Sequence, residues 1–89
     1  MKLNSNIVKI NKDIIYRLGN KTVLIINIKI MEVYNLENLA FYIWKLLDKE
    51  NNIEKIINIG SNKGLKKKEI IQKLNELRKL KLINFRINI

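Results

Sequence analysis

The chain contains no cysteine, no histidine and no proline, and only three glycines and one tryptophan in 89 residues. Without cysteine it has no disulfides, no thiolate zinc or iron–sulfur sites and no thiol nucleophile. Without histidine it lacks the commonest general base and metal ligand. Asp48, Glu50 and Glu54 lie close together, but their spacing does not match a calcium loop. No nucleophile–base pair is evident either. No apolar run approaches the ~18–20 residues that would span a bilayer, and no signal peptide is recognisable. The expectation is a cytoplasmic, non-catalytic binding module with no cofactor and no membrane partner.

Acidic residues are also scarce. Eight Asp and Glu stand against 18 Lys and Arg, a formal charge of +10. Such an excess points to an acidic partner. Composition offers a second source. Ile, Lys and Asn supply 18, 15 and 14 residues, all writable in A/T-rich codons, and there are only three Arg. Recognition of phosphate or base edges more often uses the planar fork of Arg.

Apolar residues make up 47% of the chain, far too many for a disordered polymer. The length suits one small domain, residues 1–89, with a thin stability margin. Three strands are predicted at Asp13 to Leu18, Lys21 to Ile28 and Glu32 to Asn35. Gly19–Asn20 supplies a tight hairpin loop between the first two. Val23 and Ile25 are apolar as well as Leu24 and Ile26, so the middle strand reads as central. The turn Lys29-Ile30-Met31 has poor turn chemistry. From residue 37 to about 49 the period becomes helical, through Leu39, Ala40, Ile43, Trp44, Leu46 and Leu47. Ile53, Ile56 and Ile57 mark a second, short helix that ends before Gly60, which suits a left-handed position. A third helix runs from about Lys66 to Lys81, with Ile70, Ile71, Leu74, Leu77 and Leu80 as its buried stripe. Leu82 to Ile89 alternates again, as a terminal strand would. The fold class is α+β: a three-stranded antiparallel β-meander, three helices and a C-terminal strand, a winged helix-turn-helix arrangement.

The segment Tyr34-Asn-Leu36-Glu-Asn-Leu-Ala40-Phe-Tyr-Ile43-Trp44-Lys-Leu46-Leu47-Asp48 closely resembles the signature of PqqD-like proteins. These are the RiPP recognition elements, which bind leader peptides of ribosomally made, post-translationally modified peptides. Arg17 and Val23-Leu24 in the hairpin, the Ile53 to Ile57 helix and the closing Leu77 to Ile83 run also match. The resemblance extends over about residues 7 to 83. Glu37, Lys49 and Met31 depart from it, standing where the family usually has a capping residue, Gly, and often Gly. The resemblance implies that an acidic, amphipathic leader adds as an antiparallel strand to the third strand, in a cleft against the third helix. Glu32, Val33, Tyr34 and Asn35 would supply the strand edge. Ile70, Ile71 and Leu74 would floor the groove, with Lys67, Lys73 or Arg78 meeting leader carboxylates. The partners would be the precursor peptide and a separate modifying enzyme: a radical enzyme, a leader peptidase or a cyclase.

Other roles follow from residue type. Trp44 is expected in the core, Tyr16 and Tyr42 as partly exposed packing, and Arg17 in a cross-strand pair with Asp13 or Glu32. The competing function is a winged-helix DNA-binding regulator, whose third helix enters the major groove. Glu69 and Glu76 on that helix would face phosphate and weigh against nucleic acid. The state is a monomer or a weak homodimer, the latter through tail residues 84–89.

Overall fold

A computed structural model describes residues 7–85. Strand β1 is Val8–Ile10, β2 Ile14–Leu18, β3 Thr22–Asn27 and β4 Glu32–Glu37. Helices α1 (Asn38–Leu47), α2 (Ile53–Asn62) and α3 (Lys67–Lys79) follow, and β5 is Ile83–Phe85. The fold is α+β, with a three-stranded antiparallel meander ahead of three helices and a C-terminal strand.

The meander has the order β2-β3-β4, so β3 is central, as its two apolar faces suggest. Its core face is Val23, Ile25 and the buried Asn27; the opposite face, with Leu24, is open. Helix α1 lies on β3 and β4 and also packs on α3. Ile43 and Trp44 seal this junction at 0% exposure. The Tyr16 ring meets Trp44 edge-on, with centroids 5.4 Å apart. Its hydroxyl donates to Asp48 Oδ1 at 2.6 Å, tying β2 to the end of α1.

Five local expectations change. First, Val8–Ile10 forms a strand that the meander-first reading omits, and it pairs with β5 in the same chain. Ile83 to Phe85 therefore pair along one side within the chain, and the remainder of the proposed tail, residues 86–89, lies outside the described residues. Second, the hairpin register pairs Leu18 with Val23 and places Asn20–Lys21 at the tip. Neither tip residue, nor Gly19, has positive φ.

Third, the β3–β4 turn takes its chemistry from the preceding strand. The Asn27 side chain accepts from the Lys29 and Ile30 amides at 3.0 and 3.3 Å, and Met31 adopts φ 58°. Fourth, α2 passes through Gly60 and continues to Asn62. The left-handed position falls at Gly64, φ +94°, where the Leu65 amide reaches back to the Gly60 carbonyl. Gly60 instead admits α3: a Cβ there would lie 2.6 Å from Ile70 Cδ1. Because Ile70 is fully buried, Gly60→Val is expected to lose about 2–3 kcal/mol, read from chemical unfolding. Fifth, Arg17 has no ion pair among the described residues. It stands in the Leu24 row of the sheet, three residues along from the row that holds Glu32.

Helix α3 starts and stops by different means. The Lys66 amide donates to Glu69 Oε1 at 3.0 Å, so one acid offsets the run of lysines at the helix start. At its end the Leu82 amide bonds the Leu77 carbonyl and the Lys81 amide the Arg78 carbonyl, a Schellman closure. Lys81 holds the left-handed position at φ 64°, normally taken by glycine. Lys81→Gly is expected to stabilise the protein by about 0.5–1 kcal/mol, visible as a rise of a few degrees in Tm.

Candidate functional site

Two backbone hydrogen bonds determine which side of β4 is free. Gly19 and Thr22 are hydrogen-bonded across the hairpin, and the Ile28 amide bonds the Asp13 carbonyl. Antiparallel ladders alternate, so β3 residues of even number bond to β2. Val23, Ile25 and Asn27 are left to bond Leu36, Tyr34 and Glu32 of β4. The amides and carbonyls of Val33, Asn35 and Glu37 consequently face away from the sheet. β4 is an edge, and no described strand pairs with its outer side. Such an edge is a template for an added strand. β2 is the opposite edge, but β4 leads directly into α1 and so lies beside the helical layer.

Side chains along β4 alternate cleanly. Tyr34 and Leu36 are half-buried toward the helices, whereas Val33, at 61% exposure, and Asn35 point outward. The Tyr34 hydroxyl donates to Glu32 Oε1 at 2.6 Å, and this bond pushes the Tyr34 hydroxyl pKa upward.

On α3 the expected residues separate. Ile70 and Leu74, 0% and 1% exposed, are sealed in the core and support α3 from beneath rather than offering a surface to a ligand. Ile71 is half-buried and shares an open groove of about 810 Å³ with Lys67, Lys68, Gln72, Asn75 and Lys79. No described β4 residue lines that groove. Lys73 pairs with Glu76 at 2.8 Å, the ion pair found among the described residues. Arg78 lies at the far end of the helix, with its guanidinium 4.8 Å from the Phe85 ring centroid. There it lines a separate cavity with Lys9, Lys12 and Lys81. Lys67 and Ile71 are thus brought together, and Arg78 is not brought to them.

The site therefore offers two kinds of contact: backbone pairing along β4, and an apolar and cationic helix face at Ile71 and Lys67. It assembles no acid–base pair, and no metal-binding group of acids is found among the described residues. Sequence reasoning did not resolve which β4 amides point outward; the hairpin register carries that information once the closing pair is known.

The tyrosine that anchors α1 has its own pH signature. Its hydrogen bond to Asp48, then burial and the Asp48 charge, push the Tyr16 pKa from 10.0 up to about 12. The neutral phenol is the folded form. Its contribution is complete below pH 10.0 and is lost as pH rises toward about 12. An ultraviolet difference titration should show this late ionisation, and Tyr16→Phe should remove it.

The class defined by these elements is an α+β meander carrying a helical layer beside an open strand edge. A solved structure of TbiB1 in complex with the TbiA(beta) leader peptide has a similar fold. The two superpose with a TM-score of 0.74 over 90% of this chain and 99% of that one, at 16% sequence identity. That likeness establishes the fold. No protein-family profile matches the chain, and no curated protein sequence matches it significantly.

Proposed function

We propose that this chain is a RiPP recognition element of the PqqD-like kind, a single winged-helix domain that acts in the cytoplasm and does no chemistry itself. It binds the leader of a precursor peptide as a strand added to β4. The leader's inward side chains face the helical layer, with Ile71 offering apolar contact and Lys67 meeting leader carboxylates. A separate enzyme then modifies the tethered precursor, which the bound leader holds at high effective concentration.

The observation that carries this reading is the outer edge of β4, where the backbone of Val33, Asn35 and Glu37 pairs with no other strand among the described residues. Main-chain pairing supplies affinity in such complexes, and alternate side chains supply specificity. The shared fold with a leader-bound protein supports it.

The test is a fluorescence-anisotropy titration at about 150 mM salt. The ligand is the labelled leader of a short peptide encoded beside this gene, with a mixed-sequence DNA duplex in parallel. Saturable leader binding, with DNA binding that is weak and falls steeply with salt, is expected. Tight duplex binding without a leader signal would replace the proposal with the DNA-binding one.

A further inference from the structure

The outer face of the meander is apolar and uncovered among the described residues. Six of the eight large apolar side chains that stand exposed belong to the meander or its β3–β4 turn. On the sheet itself they form adjoining rows. Ile15 stands opposite Ile26, which stands opposite Val33; Leu24 lies between Arg17 and Asn35. Met31, in the turn that joins β3 to β4, is also 76% exposed. Contiguous apolar surface of this kind marks a protein contact.

Charge selects the partner. Residues 13–37 carry three acids and three bases, so the whole +10 excess lies elsewhere in the chain. A polyanion such as nucleic acid or an acidic membrane would be drawn to the basic remainder, not to this neutral face. A second copy of the chain, by contrast, can meet it here with the cationic helices turned away from the contact.

We infer that the protein self-associates through this face, as a two-fold dimer with the sheets stacked and the axis parallel to β3. This symmetry sets Ile26 over Ile26, Leu24 over Leu24 and Ile15 over Val33. It also carries Arg17, which has no ion pair among the described residues, to Asn35 with Glu37 one step beyond. The pattern is self-complementary, as an isologous contact requires. Three strands ~4.8 Å apart and six residues long, at ~3.4 Å each, give a footprint of only ~15 by ~20 Å per copy. That lies below the size of permanent interfaces, so the dimer is weak and reversible. The edge of β4 lies in the plane of the sheet and stays open in the dimer, so leader binding and self-association are separate properties.

Sedimentation equilibrium from about 10 to about 500 μM tests the inference. The average mass should climb from 10.6 kDa toward twice that value, and Leu24→Glu should stay at one copy while keeping its thermal melt. Because the chain has no cysteine, Leu24→Cys provides a single thiol. A short bis-maleimide should join two copies at that position but not at Lys68→Cys on α3. A wild-type mass that stays at one copy throughout overturns the inference, as does a Leu24→Glu variant that dimerises normally. Leader titration of the monomeric variant reads the peptide-binding proposal separately.

Discussion

Asn35→Pro is expected to weaken leader binding by about 10–100-fold while changing stability by no more than about 1 kcal/mol. The Asn35 amide points away from β3, so its loss breaks no bond of the meander. Proline is tolerated on the open side of an edge strand for this reason. An added strand, however, loses a donor for one of its carbonyls. Leaving that acceptor unpaired costs about 1–3 kcal/mol, which is the stated change in affinity. Tyr34→Pro is the matched control. The Tyr34 amide bonds Ile25, so the same substitution one residue earlier should break the ladder and destabilise the fold. Melts and leader titrations of both variants separate the two effects. Equal leader affinity for Asn35→Pro and the wild type would remove β4 as the binding edge.

Trp44→Ala is expected to cost about 3–5 kcal/mol and to leave most of the population unfolded near body temperature. Trp44 is fully buried where α1 meets the sheet, and its ring supports Tyr16, which in turn holds Asp48. Removing it opens a cavity that the surrounding strands cannot close. A domain of this size has a total stability of only several kcal/mol, so the loss is a large fraction of it. Trp44→Phe should be far milder. The indole Nε1 meets no acceptor among the described residues, so replacing it leaves no polar partner orphaned. Circular dichroism in urea distinguishes these outcomes, and near-native stability of Trp44→Ala would contradict the packing described.

The long periodic elements are legible in the amino-acid sequence alone. Ile14, Tyr16 and Leu18 share a half-buried face, and the apolar steps from Leu39 to Leu47 form one helix, because their periods of two and 3.6 differ sharply. Punctuation was less legible. Gly60 has the identity of a helix cap but serves a helix crossing, because the space it vacates is filled by Ile70. Lys81 has the identity of a solvent lysine but closes a helix in the left-handed region. The short strand Val8–Ile10 carries an apolar alternation of only three residues, too brief to separate from a loop without its partner β5.

The candidate site divides in the same way. Amino-acid order alone determined the α+β class, the Ile70, Leu74 and Leu77 stripe of α3 and the edge position of the third meander strand, because each follows from local periodicity and chain connectivity; Leu80, expected in that buried stripe, stands 42% exposed just past the end of the helix. Only the tertiary structure decided how the α3 residues are distributed. Ile70 and Leu74 are buried, Lys67 and Ile71 share a groove, and Arg78 rests on Phe85, because helix rotation is set by packing against α1, α2 and β5. It also decided which face of β3 is covered. Both faces are apolar in sequence, and the helices can lie on only one, leaving Leu24, Ile26 and their neighbours outside.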